Sequence, residues 1–162
     1  MDRIERMTVM AAAVLCAASL FPRRAAAHNH VAPHQGTLVE LGEEVGHLEV
    51  LLNPTDGTMT IYVLDGEAEQ PVRVEQPTLE LQIAPHPDTP EADRIPLWMH
   101  AVENPLTGEM AGDTSQFAGK SDALKGLTAF DGEVDAIELN GQRFTDVAFH
   151  VASPAAPPQP KL

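Results

Sequence analysis

An all-β fold, built as a single small antiparallel sandwich of immunoglobulin-like or similar type, is what this sequence predicts. Three observations predict it. Apolar and polar residues alternate with a period of two through most of residues 36–152. Turn-forming residues punctuate the runs, and only residues 108–126 leave room for a short helix. About seven strands at this spacing suit a sandwich, with an open barrel as the alternative architecture.

The elements follow in order. Thr37 to Leu41 reads as a short strand that ends at Gly42. In His47-Leu48-Glu49-Val50-Leu51-Leu52, the residues Leu48, Val50 and Leu52 share one face, and His47 and Glu49 share the other. Asn53-Pro54-Thr55-Asp56-Gly57 is a strong turn, because proline presets φ and glycine accepts a positive φ after Asp56. Thr58 to Leu64 is the returning strand. Val72–Val74 and Leu79–Ile83 continue the pattern, with Pro77 marking an edge or a bulge. Residues 85–93 form a proline-rich loop, and Ile95–Val102 is the next strand. Ser121 is placed to cap a short helix over residues 121–125. Val134–Leu139 and Phe144–Val151 are joined through Asn140-Gly141, a favoured two-residue hairpin.

Ahead of this domain, residues 1–27 read as a secretory signal peptide. Arg3 and Arg6 supply the positive start, Met7–Phe21 the apolar centre, and Ala25-Ala26-Ala27 the small-residue cleavage signal. Cleavage after Ala27 puts Ala25 at the −3 position, whereas earlier cuts put Arg23 or Arg24 there. Fifteen apolar residues fall short of the ~20 needed to cross a bilayer, so no membrane span is expected in the mature form. Leu15 before Cys16 departs from a lipobox. The expectation is an exported protein, periplasmic or at the cell surface, without cysteine. Its domain spans residues 36–152, with a flexible histidine-bearing segment at 28–35 and a disordered proline-rich tail at 153–162.

The whole chain carries a formal charge of −14, and loss of the leader makes it −16, since four Lys/Arg and two Asp/Glu leave with it. Such a surface repels phosphate backbones and anionic lipid, so no nucleic-acid partner is expected.

The chemistry concentrates in histidines. With His28 as the first mature residue, its α-amine, two backbone amides and the position-three imidazole of His30 can enclose Cu(II) or Ni(II) in a square plane. His34 follows closely. His47 and Glu49 project from one strand face, and pairing of the first two strands brings His34 near them, a donor set suited to Zn(II) or Cu(II). His150 faces away from Val147, Phe149 and Val151 and is an outlying candidate. Met99 and His100 lie on opposite strand faces and so cannot easily share one ion. The enzymatic motifs G-x-S-x-G, H-E-x-x-H and a Gly-rich phosphate loop do not occur, so a non-enzymatic protein without an organic cofactor is expected.

Several segments together carry a resemblance. They are Pro33-His34-Gln35-Gly36, Leu38-Val39-Glu40-Leu41-Gly42, His47-Leu48-Glu49-Val50, Tyr62-Val63-Leu64-Asp65, Pro71-Val72, Ser115-Gln116-Phe117, Asp122-Ala123-Leu124 and Asn140-Gly141-Gln142-Arg143-Phe144. Over residues 33–151 the chain resembles a group of short exported bacterial β-sandwich proteins seen near periplasmic metal-efflux components. The resemblance implies a β-rich exported domain with a role in metal handling and an efflux component as a partner. It supplies no ligands. Where that group commonly has His-Gly-Gly or His-His-Gly, this chain has His34-Gln35-Gly36, so a second ligand at position 35 is missing. The expected function is metal binding (copper, nickel or zinc), acting as a chaperone, buffer or efflux accessory. The alternative is a cell-envelope interaction or structural module.

Overall fold

The computed structural model describes residues 30–86 and 88–152. The expected leader, His28 and the proline-rich tail lie outside the described residues. Among the described residues, eight antiparallel strands form the fold: β1 (Thr37–Leu41), β2 (Gly46–Asn53), β3 (Thr58–Leu64), β4 (Thr78–Ala84), β5 (Ile95–Ala101), β6 (Gln116–Lys120), β7 (Phe130–Leu139) and β8 (Gln142–Val151). They make one continuous sheet in the order β1-β2-β3-β6-β5-β4-β7-β8. Its outer strands β1 and β8 approach each other, so the sheet is nearly closed. The protein is all-β, as its alternation predicts. The layers of the expected sandwich are one curled sheet, because every strand is hydrogen-bonded to the next and no break divides two sheets.

Curling is what the alternation demands. One face of each strand is apolar, and wrapping turns all those faces toward a common core. Leu48 and Val50 of β2, Ile61 and Val63 of β3, Met99 of β5 and Phe117 of β6 are all sealed inside. Two hairpins set the register. Asn53 faces Thr58 across the β2–β3 turn, so Glu49 faces Tyr62 and His47 faces Leu64. Asn140 and Gly141 both adopt positive φ (52° and 75°), the backbone a tight two-residue turn between β7 and β8 requires.

Elsewhere the structure is less regular than the pattern implies. The expected helix near Ser121 is a single 3-10 turn, Asp122–Leu124, whose N-terminus is capped by Ser121 Oγ accepting the Ala123 N–H at 3.3 Å. Gly126, at φ 77°, lets the chain turn away after it. Residues 71–74 make no full strand and contribute only isolated bridges, Pro71 with Leu64 and Val74 with Thr114.

Two loop carboxylates tie the surface together. Glu109 is held below the usual carboxylate range by the Ser115 hydroxyl and then the Thr107 hydroxyl, both donating to it. Asp65 is lowered by the backbone N–H groups of Glu69 and Gln70. Both groups favour the ionised form when folded. Their stabilisation is therefore complete above the ordinary carboxylate pKa values near ~4 and disappears as pH falls through the lowered folded values. Thermal melts should show a plateau above about pH 5 and a fall below it. Glu109→Gln should flatten that fall, as followed by circular dichroism.

Candidate functional site

β2 presents His47 and Glu49 on its outer face, where a curled sheet ordinarily meets water. Here both side chains are buried, Glu49 completely and His47 at 3% exposure. The cover is the chain just before β1. Residues 30–36 lie across the outer face of β2 and β3, and the segment expected to be flexible is a docked arm over its described part. Glu49 is the physical reason. Its Oε1 accepts the backbone N–H of His34 at 2.7 Å and of Gly36 at 2.8 Å, and its Oε2 lies 2.7 Å from His34 Nδ1. A buried carboxylate is costly unless donors satisfy it, and the arm supplies all three.

The arm's own chemistry makes the approach possible. A Cβ on Gly36 would lie 2.8 Å from Glu49 Cγ, Leu51 Cδ1 and the Val50 carbonyl, so a larger residue would lift the segment. Before it, residues 32–35 turn tightly, with the Gln35 N–H donating to the Ala32 carbonyl at 3.2 Å. Gln35 sits at φ 64°, the left-handed region that glycine occupies at least cost. The His34 ring stacks on Tyr62, with centroids 3.8 Å apart and planes 10° from parallel. Tyr62 is the cross-strand neighbour of Glu49, so ring and carboxylate hold the same imidazole from two sides.

One step along β2, a second imidazole is fixed by a different device. His47 Nδ1 lies 3.1 Å from the Asp65 carbonyl, which can only accept, so Nδ1 carries the hydrogen and Nε2 keeps its lone pair in the neutral ring. Asp65 is braced in turn by the 65–70 loop, where its carboxylate accepts from Glu69 and its carbonyl from Ala68. His30 of the arm lies beside His47, ring centroids 4.8 Å apart and tilted by 60°. Its Nε2 is 3.8 Å from Glu44 Oε1. Imidazoles whose inner nitrogen is committed to a carbonyl or carboxylate have the orientation commonly found in metal-ligating histidines.

The chain matches no family model, no curated protein and no solved structure. The geometry therefore has to be read on its own terms.

Of the residues singled out by sequence, His30, His34, His47 and Glu49 come together on one outer patch. They divide into two pairs, His34 with Glu49 and His30 with His47. Both Glu49 oxygens are occupied by the arm, so this carboxylate orients His34 and does not complete a donor set with His47. His28 lies outside the described residues. His150 lies elsewhere, on β8, with Nδ1 2.6 Å from Asp131 Oδ1. Among the described residues, no group of three or more His, Cys, Asp or Glu side chains is arranged to hold a metal ion. No described helix is long and apolar enough to cross a membrane.

Tyr62, Gly36 and Asp65 stood in segments quoted from the sequence but were given no role at the site. Tyr62 was within reach of it, because the Asn53–Gly57 turn sets the register that puts it opposite Glu49. The contributions of Gly36 and Asp65 come from backbone atoms, which no side-chain pattern encodes.

Two variants test the arm. Glu49→Ala leaves two backbone donors and an imidazole without their acceptor and should cost about 3 kcal/mol by chemical denaturation. Hydrogen exchange in that variant should accelerate at His34 and Gly36 before it does in the core. Gln35→Gly relieves a left-handed residue and should raise stability by about 1 kcal/mol.

Proposed function

We propose that the chain is an exported, non-enzymatic metal-handling protein that takes up a copper, nickel or zinc ion at the histidine-bearing arm where it crosses β2. The observation that carries this reading is the His30–His47 pair, two imidazoles 4.8 Å apart, one of them with its Nδ1 held by a backbone carbonyl. Imidazole nitrogen suits all three ions, and Glu44 stands nearby as an oxygen donor. The residues offered by the described chain fit such an ion only in part, as two nitrogens and one carboxylate. The remaining donors would come from the first mature residues, His28 and its α-amine. His34 and Glu49 serve to anchor the arm. The resemblance to exported proteins near metal-efflux components supports the same reading and makes an efflux component the expected protein partner.

Mass spectrometry of the secreted protein identifies the mature N-terminus, and equilibrium dialysis against Cu(II), Ni(II) and Zn(II) gives the stoichiometry. The expected result is one equivalent of ion, weakened at least about tenfold in His30→Ala and in His47→Ala, each corresponding to loss of one ligand. His150→Ala should leave it unchanged. Binding that is equally weak in all of these proteins is that of an acidic surface and defeats the reading.

The second reading is an interaction module of the cell envelope. It is favoured by Trp98, 54% exposed on the outer face of β5, and by Leu106, 97% exposed in the loop after it. Trp98→Ala would then disrupt recovery of a partner from envelope extracts while leaving metal uptake intact.

A further inference from the structure

On the side of the sheet formed by β4, β7 and β8 there is a concavity of about 390 Å³, a volume within the range of small-molecule sites. Strand register builds its floor. Asp131 of β7 faces Ala84 of β4 and His150 of β8, and Glu133 faces Gln82 and Ala148 in the same way. Phe149 adds an apolar element to the lining. Arg94, in the last residue position before β5, completes it.

The charges in this concavity are unevenly satisfied. Asp131 is paired with His150, Nδ1 to Oδ1 2.6 Å. The Arg94 side chain makes no hydrogen bond or ion pair among the described residues, and its Nε is sealed from solvent. This happens in a chain with 24 acidic side chains against ten basic ones. Glu133 likewise makes no ion pair or side-chain hydrogen bond among the described residues, although it lines the same concavity. The η nitrogens of Arg94, which are not sealed in this way, carry no hydrogen bond or ion pair among the described residues, and a ligand spanning them and the Glu133 carboxylate would engage both groups.

We propose that this concavity binds a small zwitterion of the α-amino acid class. The carboxylate engages the planar donor fork of Arg94, and the ammonium group engages Glu133. Ala84, Ala148 and Phe149 accommodate the apolar part. A dianion such as phosphate is disfavoured by Asp131 and Glu133, and a simple cation leaves Arg94 unsatisfied. The site is separate from the arm that carries the metal proposal, so the two stand or fall independently.

Isothermal titration of the secreted, full mature chain with glycine, L-alanine and L-leucine tests this, with acetate, ethylammonium and inorganic phosphate as controls. At least one amino acid should bind saturably at one equivalent, about tenfold or more tighter than acetate and ethylammonium. Arg94→Gln and Glu133→Gln should each weaken that binding about tenfold or more, whereas His47→Ala should leave it unchanged. Both side chains are half-buried, and circular dichroism confirms that the variants are folded. The proposal is overturned if no amino acid binds saturably up to about 10 mM, if phosphate or acetate binds as tightly, or if Arg94→Gln has no effect.

Discussion

A single sheet with one apolar face per strand has to close on itself, and the rest of this molecule depends on that constraint. No second layer of helices is present among the described residues to cover the apolar faces. Among the described residues, Leu48, Ile61 and Phe117 share one core cluster with the apolar faces of the other strands and with loop residues such as Val74 and Leu124. Burial of such side chains contributes roughly 1.5–3 kcal/mol each, so the closed form is strongly favoured over a flat one. Closure also fixes which residues face outward, and every polar feature described above belongs to that outer surface or to the loops.

The arm is the exception that gives the outer face its chemistry. An outward glutamate on a strand normally stays hydrated at little cost. Glu49 instead forgoes water entirely and is compensated by three donors from residues 34–36. This exchange makes the arm a structural part of the sheet and carries His30 to the side of His47. Gly36 matters as much as the charged group, since the donors reach Glu49 only where the backbone lacks a side chain. The left-handed Gln35 shows the same demand: the turn needs a backbone shape that glycine adopts more readily.

The two histidine devices differ in what they leave available. His34 is held between a carboxylate and the face of Tyr62, an arrangement that immobilises the ring. His47 is held through one nitrogen only, by a carbonyl that settles its tautomer. The first is suited to anchoring and the second to ligation, which is why the proposed ion is placed with His30 and His47 and away from Glu49.

The sequence by itself determined most of the strands, though not β6 in the stretch expected to hold a helix, together with the two principal hairpins and the face on which His47 and Glu49 lie, because period-two alternation and turn residues are local properties. Strand β2, the Asn53–Gly57 turn and the Asn140-Gly141 hairpin were all legible for that reason. Whether the sheet would split into two layers or curl as one was decided by pairing among distant strands, such as β3 with β6 and β4 with β7. Only the tertiary structure revealed that an N-terminal segment docks on Glu49. The donors are backbone amides, and their partner stands 13 to 15 residues further along the chain. The same holds for Arg94, which lines a concavity with Asp131 and Glu133 and forms an ion pair with neither: nothing in its neighbouring residues signals that arrangement.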